Sequence, residues 1–198
     1  MVNLLPLLRN AAGLRRVVTM LAGTKEGVVH TDDLQMRQSS LLSLAGRGHL
    51  VSMTTLALKA VARTAPTVSF VHTFPGAVRT NLGSDVEGLS GAVFRSIFRI
   101  LFFVVGPFVV TPFDEAGERH VFFATSARFR EGGVPLPKDM AVARGTHGSG
   151  VYSIDNHAES APPRVEQLFA KLREDGTAKK VWSDVEEQFV RVTGSMSI

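Results

Sequence analysis

The pattern of hydrophobic and polar residues predicts a β-strand in three short stretches of the chain. The clearest strand lies within Thr67–Asn81, where β-branched and aromatic residues alternate until the chain reaches Pro75-Gly76. Shorter runs of the same kind occupy Arg16–Leu21 and Gly150–Asp155. Proline fixes φ and glycine tolerates unusual backbone conformations, so a sharp turn is expected just past the carboxyl end of the central strand. Ligands of open parallel α/β sheets lie at that end of the strands.

Apolar residues at helical spacing predict helices between and after these strands. The longest helix covers about Leu41–Arg63, and a nearly all-apolar helix is predicted over Leu89–Val105. Thr111-Pro112 is expected to supply the N-cap and first position of another helix, and two amphipathic helices are predicted in the C-terminal tail. The order helix, strand, helix, strand indicates an α/β fold with parallel strands and right-handed crossovers.

Composition removes several classes of function. The 198 residues include no cysteine, which excludes disulfides, thiolate catalysis and cysteine-ligated zinc. The formal net charge is +4, but the basic residues are scattered as pairs or singles without a stripe. Binding to nucleic acid requires clustered positive charge, so we expect no nucleic-acid partner.

No segment has the pattern of a signal peptide or a membrane span. The longest uncharged apolar run, Ile100–Val110, is about half of the roughly 20 residues that cross a bilayer, and it contains Gly106 and Pro107. The amino-terminal segment lacks the positive region of a signal peptide. We therefore expect a cytoplasmic protein without a membrane span.

Four segments resemble the second half of the short-chain dehydrogenase/reductases, in the form found in filamentous-fungal secondary-metabolite clusters. These segments are RVVTMLAG, LALKAVA, SFVHTFPGAVRTN and GERHVFFATS, and the resemblance covers roughly Leu4–Asp155. It implies a partial Rossmann-like three-layer fold, in which about three contiguous parallel strands form a small sheet. It also implies that residues 1–160 are a domain truncated at its N-terminus, followed by a helical extension over residues 161–198.

The same resemblance implies a cofactor and a reaction. The strand-Pro-Gly-x-x-x-Thr element places Pro75, Gly76 and Thr80 on the side of the nicotinamide of NAD(P). The implied activity is oxidation of a secondary alcohol, or reduction of a ketone, on a polyketide or terpenoid intermediate. Pro75-Gly76 and Thr80 are thus the candidate cofactor-binding residues.

Two features of the sequence depart from the family pattern. No Gly-x-x-x-Gly-x-Gly follows a strand, and the family's tyrosine–lysine proton relay is missing, since the sole tyrosine, Tyr152, falls in the last predicted strand. A phosphate cradle needs the backbone N–H groups of such a loop. The alternative function is therefore that of a redox-dead homologue, serving as a non-redox isomerase or cyclase, a binding subunit or a gene fragment. Whether the chain is an enzyme stays open at this point.

Alignment of the long helix with the family leaves weak candidates for catalysis. The relay positions fall at Arg47 and Val51, or at His49 and Met53 after a shift of two residues. His49 could act as an acid–base group because its unperturbed pKa is near 6.5, or it could be a partly exposed helix residue. Arg47 could bind an anionic or carbonyl oxygen, or could be a solvated surface arginine. His72 on the central strand is better interpreted as a core histidine that is hydrogen-bonded to backbone.

The remaining polar residues suggest no metal site. Asp32-Asp33 is better explained as a turn or helix cap, because adjacent side chains point apart, and His147, Asp155 and His157 do not share one face. One further expectation concerns assembly. In the family sheet, the strand Arg16–Leu21 would lie at an edge that another strand normally covers, and bare apolar edges pair readily. We therefore expect self-association through this edge.

Overall fold

A computed structural model describes residues 2–38, 43–78, 96, 110–130 and 150–195. A 3-10 turn at Val2–Leu4 leads into the first helix. The helices are α1 (Leu5–Asn10), α2 (Leu44–Thr64), α3 (Phe113–Thr125), α4 (Pro163–Glu174) and α5 (Thr177–Thr193). The strands are β1 (Arg16–Met20), β2 (Ser69–Thr73), β3 (Ala77–Val78), β4 (Val110–Thr111) and β5 (Val151–Ile154).

Three parallel strands form the main sheet in the order β1-β2-β5. Val71 of the central strand pairs with Val18 on one side and with Tyr152 on the other. Every residue of β2 is buried, as expected of a strand covered on both faces. The predicted fold class is confirmed: an α/β fold with a small parallel sheet of three strands and helices at the C-terminus.

Side-chain alternation along β2 divides the core into two layers. On one face, Phe70 packs in a cluster with Leu58 and Val61 of α2. On the other face, Val71 packs in a cluster with Phe123 of α3 and with Tyr152. Helices therefore cover both faces of the sheet, because successive strand residues point to opposite sides.

The two C-terminal helices pack beside α2. Their apolar faces form a third cluster with this helix, which contains Leu56, Val165, Phe169, Leu172 and Val181. The sequence predicted both helices correctly, the first from the spacing of Val165, Phe169 and Leu172 and the second from that of Trp182, Val185 and Phe189.

Two boundaries differ from the sequence-based expectation. The long helix begins at Leu44, because the side chain of Ser43 accepts a hydrogen bond from the N–H of Gly46 and caps it. The expected N-cap at Thr111 is wrong. Thr111 lies in β4, where it pairs with Val78, and Pro112 takes the N-cap position of α3. The helix expected over Leu89–Val105 lies outside the described residues.

Candidate functional site

The carboxyl ends of the three parallel strands meet at one edge of the sheet. The N–H of Leu21 donates to the carbonyl of Thr73, and the N–H of Phe74 donates to the carbonyl of Ile154. The loop after β1 crosses this edge so closely that a Cβ atom at Gly23 would lie 2.2 Å from the carbonyl oxygen of His72. The edge where α/β proteins bind ligands is therefore partly covered by this loop.

The Pro75-Gly76 turn follows the central strand at this edge, as the sequence predicted. Gly76 has a φ of +82°, which residues with a Cβ rarely adopt. A Cβ atom there would lie 2.9 Å from Oγ1 of Thr111 and 3.2 Å from Nδ2 of Asn156. The turn is thus held by conformation and by close packing, while Thr80, the third residue of the predicted cofactor loop, lies outside the described residues.

His49 is placed inside the protein rather than at its surface. Its side chain is 1 % exposed, its Nδ1 accepts a hydrogen bond from the N–H of His30 at 2.9 Å, and its Nε2 lies 3.2 Å from the carbonyl oxygen of Leu34. Since Nδ1 is the acceptor, Nε2 carries the proton and donates to Leu34. Both ring nitrogens therefore hold the loop that precedes α2, whereas Arg47 on the same helix is exposed. Catalysis by either residue stays a prediction.

A buried chain of polar side chains links the sheet to α2 instead. The hydroxyl of Thr55 donates to Oε1 of Glu26 at 3.0 Å, and Nδ1 of His72 lies 2.7 Å from the same hydroxyl oxygen. A hydroxyl has one proton, so the hydroxyl that donates to Glu26 accepts the Nδ1 proton of His72. His72 is a buried core histidine as predicted, but its partner is a side chain, so the expected bond to backbone is wrong.

Glu26 is also anchored from the third strand of the sheet. The hydroxyl of Ser153 donates to Oε1 of Glu26 at 2.5 Å, and it accepts the N–H of Thr24 at 2.7 Å. One carboxylate oxygen thus receives hydrogen bonds from α2 and from β5. The other oxygen, Oε2, is buried without a partner among the described residues, as is Nε2 of His72.

Burial determines the charge of this histidine. Removal of its ring from water lowers the pKa of His72 to about 4. The imidazole is therefore neutral at pH 7, with the proton on Nδ1 and an unshared electron pair on the buried Nε2. It can donate one hydrogen bond to Thr55, and it does not add positive charge to the sheet.

Sequence reasoning missed this cluster because its members are far apart in the chain and look ordinary. Glu26 falls in a polar segment that predicts only a loop, and Thr55 lies in the middle of a helix. One signal was available. Gly27 and Gly48 carry no side chains, and they let the loop approach α2 so closely that a Cβ atom at Gly27 would lie 3.0 Å from the Cα of Gly48. That approach brings Glu26 beneath the helix.

The sole lysine of α2 lies toward the other end of the helix. The ammonium group of Lys59 stands 4.0 Å from the ring centre of Phe169, in a cation–π arrangement. Burial, together with the nearby positive charge of Arg173, lowers the pKa of Lys59 to about 8. Lys59 therefore faces the C-terminal helices rather than the edge near Pro75.

The described residues fit only part of a dinucleotide. They include the Pro75-Gly76 turn, but a pyrophosphate needs a Gly-rich loop at a helix N-terminus, and the start of α2 is instead capped by Ser43. The proton of the sole tyrosine is also used, since the hydroxyl of Tyr152 donates to the carbonyl of Arg130 at 2.7 Å. We therefore derive no hydride-transfer step through these residues.

The described part of the chain contains neither a cluster of metal-binding side chains nor a helix suited to cross a membrane. No group of three or more histidine, aspartate and glutamate side chains there is arranged to hold a metal ion. Within the same residues, no helix combines the length and the apolar character that a membrane crossing requires.

Comparison with known proteins connects the chain to fungal enzymes. It is 34 % identical over 196 residues to "Oxidoreductase AN1596" of Emericella nidulans, covering 93 % of this chain and 56 % of that protein. It is 33 % identical to "NmrA-like family domain-containing oxidoreductase notO" of an Aspergillus species, covering 94 % and 52 % of the two chains. It is 26 % identical to "Short-chain dehydrogenase/reductase SAT2" of Stachybotrys chartarum, covering 91 % and 52 %.

These matches cover only part of each relative. The chain spans a little over half the length of each of these relatives. No protein-family model matches the chain, and no solved structure does. The chain is therefore a homologue of fungal proteins that are named as oxidoreductases.

Proposed function

We propose that the chain takes part in NAD(P)-linked oxidation of a secondary alcohol, or reduction of a ketone, on a polyketide or terpenoid intermediate in the fungal cytoplasm. The relation to proteins named as oxidoreductases carries this proposal, and one of those names is that of a short-chain dehydrogenase/reductase. When bound, a nicotinamide cofactor would accept the hydride from the alcohol in the oxidised form or supply it to the ketone in the reduced form.

The geometry of the Pro75-Gly76 turn supports the same function. The turn directly follows the central strand of a parallel sheet, at the carboxyl edge where α/β proteins bind their ligands. Gly76 holds a left-handed conformation, and Thr111 and Asn156 fill the space that a Cβ atom would need, so packing fixes the shape of the turn. In this proposal Pro75 and Gly76 would lie on the side of the nicotinamide, as the resemblance to the short-chain dehydrogenase/reductases implies.

The second candidate is a non-redox homologue that binds or isomerises a related metabolite. Two observations favour it. Both ring nitrogens of His49 form hydrogen bonds to backbone groups, and the hydroxyl of Tyr152 donates a hydrogen bond to the carbonyl of Arg130. Neither side chain offers the free proton donor that carbonyl reduction needs.

Titration of the purified chain with NADPH and NADH, followed by the fluorescence of the reduced nicotinamide, separates the two candidates. We expect saturable binding, with loss of about tenfold or more in affinity for Gly76→Ala, because the new methyl group would meet Thr111 and Asn156. Gly194→Ala is the matched control. Gly194 also has a left-handed φ, of +74°, but no atom lies within 4 Å of its Cβ position.

A folded wild-type chain that binds neither nucleotide at about 1 mM would contradict the redox proposal and favour the second candidate. If the Gly76→Ala variant binds the nucleotide as tightly as the Gly194→Ala variant does, the cofactor does not bind at the Pro75-Gly76 turn. Circular dichroism of both variants establishes that each is folded before the comparison is made.

A further inference from the structure

A cleft of about 440 Å³ lies between the C-terminal half of α2 and the helices α4 and α5. Its volume is within the range of roughly 300–1,000 Å³ that is typical of small-molecule sites. Among its lining residues, four are cationic and none is acidic; the cations are Lys59, Arg63, Arg173 and Lys179. Trp182, Thr64 and three apolar residues, Leu56, Ala60 and Ala178, complete the lining.

None of the four cations forms an ion pair with another described residue. Within the described part of the chain, the ion pairs are Arg119 with Glu115 and Arg128 with Glu159, and neither involves the cleft. The lowered pKa of Lys59 reflects burial first and the positive charge of Arg173 second, with Glu26 and Glu166 acting in the opposite direction. Like charges held together in this way cost stability unless an anion joins them.

The start of α5 adds to the positive potential. A helix N-terminus favours acidic side chains, but the first turn of α5 contains none and carries Lys179 and Lys180 instead. Asp175, two residues before the helix, is exposed, and its carboxylate accepts the N–H of Thr177. Lys180 donates to the carbonyl of Thr31, whereas Lys179 lines the cleft.

We propose that this cleft binds a small organic phosphate that carries a flat ring, with nucleoside monophosphates as the representative class. The two arginines and two lysines carry more positive charge than a single carboxylate would neutralise. A phosphate carries nearly two negative charges, and its oxygens match the hydrogen-bond donors of arginine. The half-buried indole of Trp182 offers a face for the ring. This site is separate from the Pro75-Gly76 turn and does not rest on the proposed redox function.

The protein carries its own reporter for this site. Trp182 is the sole tryptophan of the chain, so quenching of tryptophan fluorescence reports on the cleft. We expect AMP to quench it saturably, with a dissociation constant below about 1 mM at low salt. Adenosine and inorganic phosphate, which each supply one half of the ligand, should bind about tenfold more weakly, and added salt should weaken AMP binding.

Arginine-to-glutamine variants distinguish a site from a general charge effect. Arg173→Gln and Arg63→Gln should each weaken AMP binding by about tenfold. Arg164→Gln is the matched control, because it removes the same charge from α4 at an exposed position outside the cleft. Both cleft arginines are themselves exposed, so these variants are expected to fold.

Three results would overturn the proposal: no saturable quenching by AMP, equal weakening by Arg164→Gln and Arg173→Gln, or equal binding of adenosine and AMP. If AMP binding is lost in Gly76→Ala but kept in Arg173→Gln, the nucleotide occupies the edge of the sheet rather than the cleft. That outcome also contradicts this proposal while leaving the redox function intact.

Discussion

The Nδ1 atom of His72 lies 2.7 Å from the hydroxyl oxygen of Thr55, which joins the central strand to the helix that covers it. The hydroxyl of Thr55 in turn donates a hydrogen bond to Oε1 of Glu26 at 3.0 Å. A buried polar chain of this kind stabilises one arrangement of strand, helix and loop, because each member left alone would be a buried group without a partner.

Replacement of Thr55 by valine should destabilise the protein by about 2 kcal/mol. The change keeps the shape of the side chain but leaves Nδ1 of His72 without its acceptor and removes one donor to Glu26. The free energy of unfolding from urea titration is the measurement. Thr54→Val on the same helix is the control, since its hydroxyl bonds only to the carbonyl of Leu50, and equal effects of the two changes would contradict the prediction.

Stability should depend on pH through His72. Its pKa is about 4 in the folded protein and near 6.5 when unfolded, so between these values the unfolded chain binds the proton and the folded protein does not. The contribution of neutral His72 is therefore complete above pH 6.5 and is lost as the pH falls toward 4, by up to about 3 kcal/mol.

The difference between wild type and His72→Gln isolates this contribution. We expect the wild type to lose more unfolding free energy than the variant between pH 6.5 and 4, and His157→Gln, an exposed histidine, to behave as wild type. A histidine NMR titration gives an independent test. If the resonance assigned to His72 titrates near pH 6.5, the prediction is wrong.

Lys59 should make stability depend on pH in the same direction as His72, but at alkaline pH. Its pKa falls from 10.5 to about 8 on folding, so the unfolded chain binds more protons between these values and stability rises with pH, by up to about 3 kcal/mol. Lys59→Met should lack this rise and should be more stable than wild type at pH 7. Lys171→Met changes an exposed lysine on α4, and a rise that persists unchanged in Lys59→Met would contradict the assignment.

Gly23 should not tolerate even an alanine. The added methyl group would lie 2.2 Å from the carbonyl oxygen of His72 and 2.7 Å from that of Ile154, and both obstacles are main chain. We expect a loss of about 3 kcal/mol in thermal or urea unfolding. Gly13→Ala should change stability by less than about 0.5 kcal/mol, since nothing lies within 4 Å of its Cβ position. Similar losses for both variants would refute the close approach at Gly23.

Self-association through β1 stays a prediction that one proline can test. In the described structure no strand pairs with the outer edge of β1, and Leu14 and Met20 are exposed nearby. The N–H of Leu21 points to β2, so that of Met20 points away from the sheet. Met20→Pro should therefore reduce association in sedimentation velocity while Met20→Ala does not. A monomeric wild-type chain would exclude this mode of assembly.

Much of the fold could be predicted from local patterns. Alternation and β-branched residues identified β2, and short β-rich runs identified β1 and β5. The helical spacing of apolar residues identified α2 and both C-terminal helices, because that spacing follows directly from backbone geometry. The turn after β2 was equally accessible, since Pro75 and Gly76 constrain the chain whatever surrounds them. Thr111 was misassigned because its pairing with Val78 is a contact between distant segments.

The sequence by itself determined that this is a parallel α/β protein, that its central strand ends in a Pro-Gly turn, and that it has no cysteine chemistry. Only the tertiary structure decided that Glu26, Thr55, His72 and Ser153 share one buried cluster, and that four cations converge on one cleft. The reason is that hydrophobic periodicity and turn chemistry act over a few residues. The hydrogen-bond partners of buried polar groups depend instead on how distant segments of the chain pack together. A local sequence pattern does not contain that information.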